Sequence, residues 1–149
     1  MRAVIQRVKS SSVSVAGGVI GSIGRGMTVL LAVKNDDDES DARFLAKKVM
    51  QLRIFPDLEE KMNLSIQDVK GELLIISQFT LYGDCKKGNR PSYSQSASAD
   101  KAETLYEYFI GFIKSNYANK VKSGKFQADM LLNIQNDGPV TLIVDSRKL

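Results

Sequence analysis

A chain of 149 residues, 43% apolar and 26% charged, fits one domain that can build its own core without disulfides or a structural metal. The formal net charge of +4 permits a polyanionic partner without demanding one. There is no histidine and only one cysteine, which excludes Ser-His-Asp and Cys-His nucleophile pairs, imidazole zinc sites and thiolate clusters, so any chemistry must use hydroxyls, carboxylates, lysines, backbone groups or the substrate itself.

The opening segment MRAVIQRV alternates in the strand manner, with Ala3, Ile5 and Arg7 on one face and Val4, Gln6 and Val8 on the other. It lacks the apolar core of a signal peptide, and the longest apolar run, MTVLLAV, is far too short to span a bilayer; with the lone Cys85, this makes a cytoplasmic location the expectation. SVSVAGGVIGSI reads as a hairpin turning at Gly17-Gly18, and MTVLLAV as a more buried strand after the GRG turn. NDDDES offers Asp or Ser caps and first-turn negative charge to a helix over 41–52, whose Ala42, Leu45, Ala46, Val49 and Leu52 recur at helical spacing. The three aspartates read as a solvated cap. RIF predicts a short strand, and 56–71 a loop with one helical turn.

ELLIISQFTLY is the strongest central-strand candidate, with Leu74, Ile76, Gln78 and Thr80 on one face and Leu73, Ile75, Ser77 and Phe79 on the other. The segment 83–99 that follows is long and rich in Gly, Ser and basic residues, and loops of this length in compact domains are often functional. A second helix is expected from about Asp100, burying Ala102, Leu105, Tyr106, Phe109 and Phe112 or Ile113, followed by the basic connector NKVKSGKFQADM. The apolar runs MLLNIQ and VTLIV flank NDGPVT, which reads as a hairpin turn, although Pro139 has no N–H to give to a returning strand. The pattern predicts an α+β fold, a mainly antiparallel, barrel-like sheet with two helices packed on it, in one domain over 1–149.

Taken singly, the candidate site residues are weak signals. Ser77 and Gln78 suit any strand end, Lys86, Lys87 and Arg90 suit a solvated loop, and Cys85 beside two lysines reads as an ordinary surface thiol. In combination and in this order, MRAVIQRV, LRIFPD, SQFTLYGD, KKGNRPS, SGKFQADM and NDGPVT nearly fill the chain, which resembles the D-aminoacyl-tRNA deacylase family along essentially its whole length. Cys85, Tyr93 and the run SQSASA are not landmarks of that resemblance.

The resemblance implies a cofactor-free and metal-free hydrolase that cleaves the ester between a D-amino acid, or mischarged glycine, and the terminal adenosine of tRNA. It implies a homodimer in which a Gly138-cis-Pro139 pair enters the other subunit's site, holds the substrate α-amino group with main-chain carbonyls and rejects L-side chains. It implies catalytic positions at Ser77, Gln78, Phe79 and Thr80, with the Phe79 N–H as oxyanion donor and the Thr80 hydroxyl as an orienting group. Met130 would pack on the terminal adenosine, and Lys86, Lys87 and Arg90, with Lys122 and Lys125, would touch acceptor-stem phosphates. Two rival readings share these residues: a non-catalytic module holding the tRNA 3′ end, and an interaction protein in which NDGPVT is an interface turn. An esterase for small metabolites is disfavoured by the missing histidine.

Overall fold

The structure, a computed structural model, describes residues 1–147. Its first element is one long strand, β1 (Arg2–Val15), which turns into β2 (Gly18–Ile23). Val15 pairs with Gly18, so the two turn residues are Ala16 and Gly17, one position earlier than the pattern predicts. Both have positive φ, +49° and +80°, as a type I′ hairpin requires. β3 (Gly26–Ala32) returns antiparallel to β1, from Gly26 opposite Val8 to Ala32 opposite Arg2.

Helix α1 (Glu39–Gln51) begins at Asp38, whose side chain accepts from the Ser40 and Asp41 N–H groups while Asp41 accepts from the Asp38 N–H, a complete capping box. The expectation of a solvated aspartate cluster holds for Asp36 and Asp38 only. Asp37 is buried, 2.6 Å from the Met1 amine and accepting from the Lys34 N–H at 2.6 Å, because the N-terminus folds against this loop. After α1, Phe55–Pro56 (β4), which overlaps the strand expected at RIF, and Met62–Leu64 (β5), in a stretch that reads in sequence as a loop, form a small separate hairpin.

β6 (Glu72–Ser77) is the central strand and runs parallel to β3 on one side and to β7 (Val121–Ser123) on the other. Parallel neighbours require crossovers, and the two helices supply them: α1 lies between β3 and β6 in the chain, and α2 (Ala99–Asn116) between β6 and β7. The sheet is therefore mixed, antiparallel around β1 and parallel around β6. Alternation along β6 sorts as predicted. Leu73 and Ile75 join Ala3, Ile5, Val29, Leu45, Val49, Phe109 and Ile113 under the helices, while Leu74 and Ile76 join Val8, Val13 and Ile23 on the other face. The strand ends at Ser77, however, and 79–82 coil into a one-turn 3₁₀ helix, so Gln78 and Thr80 do not continue the face of Leu74 and Ile76.

The last strand overturns the hairpin reading of NDGPVT. Leu131–Asp145 (β8) is one strand, and both of its halves pair antiparallel with β1, from Ser14 opposite Leu131 to Arg2 opposite Asp145. The chain does not reverse at Asp137-Gly138. Between the pairs Gln6–Thr141 and Val8–Asn136, β1 advances two residues while β8 advances five, so 137–140 are extruded opposite Arg7. A residue without an N–H is tolerated there because that stretch leaves the ladder.

Candidate active site

Strands β3 and β6, being parallel, end at the same edge of the sheet. A cleft of about 740 Å³ opens there. Its floor is Leu31, Ala32 and Ile76; one wall is Ser77, Gln78 and Phe79; α2 contributes Ala99, Ala102 and Tyr106; and 126–130 closes the far side with Phe126 and Met130. Buried Tyr106 donates to the Ile75 carbonyl at 2.9 Å, which ties α2 to the central strand beneath the cleft. Burial pushes its phenol pKa up, so it stays a neutral donor. The Phe126 ring packs on Tyr106 with centroids 5.9 Å apart.

The 3₁₀ turn sets the lip. The Gln78 N–H donates to the Leu31 carbonyl at 2.8 Å and the Leu81 N–H to the Gln78 carbonyl at 3.2 Å. The N–H groups of Phe79 and Thr80, the first two of the turn, have no acceptor among the described residues. Thr80 is exposed and its hydroxyl accepts from the Gln78 amide, which is not a base. Met130 is held from behind by Gly124: a Cβ placed on that glycine would lie 2.5 Å from the Met130 Sδ and 3.1 Å from the Ile76 Cδ1.

The structure thus gathers Ser77, Gln78, Phe79 and Met130 around one cleft with Thr80 beside it, and leaves Gly138 and Pro139 outside it. The Gly138–Pro139 peptide is cis, and both residues are exposed on the extruded 137–140 segment. Arg7 donates from Nε to the Asp137 carbonyl at 3.2 Å and from Nη1 to the Ile54 carbonyl at 2.7 Å. Asn136 donates to the Arg7 and Val140 carbonyls at 3.0 and 2.9 Å, closing the base of the extrusion. Gly138 has φ +115°, and a Cβ there would meet the Arg7 Nη2 at 2.6 Å. Sequence reasoning missed Arg7 and Asn136 as supports, Tyr106, Phe126 and the alanines of α2 as lining, and Gly124; none carries a chemical signal apart from its place in the fold.

Lys86, Lys87 and Arg90 sit exposed on the loop 83–98, and none forms an ion pair among the described residues. Lys122 and Lys125 are exposed as well, and so is Cys85. A second cleft, of about 560 Å³, is lined by Met1, Arg2, Asp37, Tyr82, Asp145 and Arg147 among others, and most of its charged groups are already paired, Asp84 and Lys86 excepted. Arg2 pairs with Asp145 at 2.8 Å and the Met1 amine with Asp37 at 2.6 Å, while Arg147 pairs with Asp41 at 2.6 Å. Among the described residues no group of three or more His, Cys, Asp or Glu side chains is placed to hold a metal ion, and no helix is long and apolar enough to cross a membrane.

Comparison with known proteins identifies the family and the fold. The sequence model of the family described as D-Tyr-tRNA(Tyr) deacylase matches residues 4–145. A D-aminoacyl-tRNA deacylase of Thermosipho melanesiensis is 57% identical over 149 residues, covering 100% of this chain and 99% of that one. One from Clostridium botulinum strain Eklund 17B is 54% identical over 148 residues, with 99% of each covered. Among solved structures, one titled c-Myc DNA Unwinding Element Binding Protein superposes with a TM-score of 0.94 at 39% identity, covering 99% of this chain and 100% of that chain. Another, titled as a probable eukaryotic D-amino acid tRNA deacylase, reaches 0.84 at 21% identity over 97% of this chain and 98% of that one, and shares the fold. The chain belongs to the D-Tyr-tRNA(Tyr) deacylase family, and its activity is that of a D-aminoacyl-tRNA deacylase, a carboxylic ester hydrolase.

Proposed function

We propose that the chain hydrolyses the ester between a D-amino acid, or glycine, and the terminal adenosine of tRNA, in a cleft completed by Gly138–Pro139 from a second copy. The observation that carries this reading is the pair of N–H groups, Phe79 and Thr80, without an acceptor among the described residues, at the lip of a cleft lined by Ser77, Gln78 and Met130. An aminoacyl ester is already activated, so a site without histidine can work by holding it and stabilising charge. Water attacks the ester carbonyl, the oxygen that gains negative charge faces the Phe79 N–H, and the ribose oxygen leaves with a proton. The adjacent ribose 2′-hydroxyl assists in placing the water. The Thr80 hydroxyl orients the ester or the water; its partner is an amide, so it has no base to make it a nucleophile. Met130 packs on the adenosine.

A second copy is invoked because Gly138 and Pro139 project from the sheet, outside their own chain's cleft. The main-chain carbonyls of that segment hold the substrate α-amino group, and an L-side chain collides with the backbone where a D-side chain or hydrogen fits. Lys86, Lys87 and Arg90 contact acceptor-stem phosphates, which gives affinity for many tRNAs and a steep fall of binding with salt. The reading places the enzyme in the cytoplasm, where charged tRNA is used.

The test is release of amino acid from matched D-Tyr-tRNA, L-Tyr-tRNA and Gly-tRNA with EDTA present, wild type beside Thr80→Ala. Fast loss of the D- and glycyl esters with the L-ester spared is the expected result. Equal loss of D- and L-esters would remove the chiral role of Gly138–Pro139, and inhibition by EDTA would remove the metal-free mechanism. Gel filtration with light scattering tests the second copy; a monomer that remains active overturns the shared site.

A further inference from the structure

We infer that the ring pair Phe79–Tyr93 is a stacking ledge for an unpaired base of the substrate's 3′ strand, the nucleotide that precedes the terminal adenosine. The inference rests on the tRNA-ester reading above and adds a binding position to it. The Phe79 ring is 57% exposed and Tyr93 39% exposed, which is unusual for two large aromatic side chains in contact. Their centroids are 5.1 Å apart at an interplanar angle of 66°, an edge-to-face pair that leaves ring surface open to a third planar group.

The ledge is rigid and well placed. On one side, Phe79 lines the cleft. On the other, Tyr93 directly follows the small hairpin closed by reciprocal Asp84–Ser92 backbone hydrogen bonds of 2.8 and 2.9 Å, and that hairpin carries Lys86, Lys87 and Arg90. The backbone beyond Tyr93 is strapped down. The Ser96 N–H donates to the Tyr93 carbonyl at 3.0 Å, the Ser96 hydroxyl to the Phe79 carbonyl at 3.2 Å, the Asn35 side-chain amide to the Ser94 carbonyl at 2.8 Å, and the Ala97 N–H to the Val33 carbonyl at 3.0 Å. A single strand that leaves phosphates at the basic hairpin and ends in the cleft crosses these two rings. Basic contacts to the backbone interleaved with exposed aromatic faces are how unpaired nucleic acid is held.

The experiment compares wild type, Tyr93→Ala and Tyr93→Phe in binding uncharged oligonucleotides ending in CCA and in binding adenosine monophosphate alone, by titration calorimetry, and in hydrolysing D-Tyr-tRNA and the minimal ester D-Tyr-adenosine. Tyr93→Ala is expected to weaken CCA binding roughly five- to a hundredfold and to raise KM for the tRNA ester by a similar factor. Mononucleotide binding and kcat on the minimal ester stay at the wild-type level, and Tyr93→Phe, which keeps the ring, restores CCA binding. Unchanged CCA binding in Tyr93→Ala would overturn the ledge. So would equal losses on the oligonucleotide and the mononucleotide, which would mean that Tyr93 only supports the turn 79–82. Because the oligonucleotide arm needs no turnover, an inactive wild type that still binds CCA through Tyr93 would sink the hydrolase reading and leave the ledge standing.

Discussion

The two signature segments of this chain are fixed in place by different means. SQFT leaves the end of the central strand, with Ile76 in the core before it, the Gln78 N–H on the Leu31 carbonyl, and a 3₁₀ turn after it, so its backbone is set by the sheet. NDGPVT is pushed out of a peripheral strand and owes its shape to two side chains, Arg7 and Asn136, reaching its carbonyls. The proposed site therefore has one part held by the fold and one held by side chains, a robust half and a tunable half. Substitutions that support the second half change activity while leaving stability nearly alone.

Gly138→Ala is the sharpest way to break that contrast. The added methyl lies 2.6 Å from the Arg7 guanidinium at a φ of +115°, so the segment must shift. A misplacement of this kind costs roughly a hundredfold in D-ester hydrolysis, while the melting temperature moves little because the segment lies outside the ladder; a large loss of stability would show that the extrusion is part of the fold after all. Arg7→Ala comes next. Removing charged hydrogen bonds to the Asp137 and Ile54 carbonyls costs about 1.5–3 kcal/mol of positioning, or roughly ten- to a hundredfold in kcat/KM, and D/L discrimination falls with it. Unaltered discrimination would mean that Asn136 alone holds the segment.

A control that belongs to neither half is Asp41. Burial opposes its ionisation, but the Arg147 guanidinium at 2.6 Å and the Asp38 N–H outweigh it and hold the carboxyl at about 2, below its ordinary 3.8. A folded value below the unfolded one stabilises the protein above about pH 4, and that stabilisation is lost as pH falls through about 2. Asp41→Asn is therefore expected to cost about 2 kcal/mol at neutral pH, with the gap from wild type closing between pH 4 and 2 in urea titrations and deacylation per folded molecule unchanged. The smallest effect is assigned to Gly124→Ala. Its methyl pushes on the Met130 thioether, a flexible end that can yield, so KM rises roughly fivefold, the equivalent of about 1 kcal/mol of overpacking, with kcat preserved. A fall in kcat instead would place Met130 nearer the reacting carbonyl than the adenosine.

Much of this was legible in residue order, and the failures have physical causes. Local signals worked where local physics decides: the Asp38 cap, the stripes of both helices, the two-faced burial of Leu73 to Ile76, and a turn near Gly17. Parallel pairing of β3, β6 and β7 is a long-range choice that alternation cannot encode, and the three-residue β7 vanished into a basic stretch. The NDGPVT hairpin was a sound local reading defeated by register, since β1 is long enough to pair with both flanks of the turn signal. At the site, Ser77 to Thr80 were singled out through family resemblance, whereas Arg7 was only one position on the Ala3–Ile5 face of an alternating strand. Its role exists only because the last strand folds beside the first.

That pairing also dictates an order of events during synthesis. β1 gains β2 and then β3 early, but the edge that β8 will cover stays open until Leu131–Asp145 has been made. Until then a fourteen-residue strand offers unpaired backbone to any other nascent chain. The element that seals this edge is the one that carries Gly138 and Pro139, so translation delivers aggregation resistance and the proposed stereochemical gate in the same step.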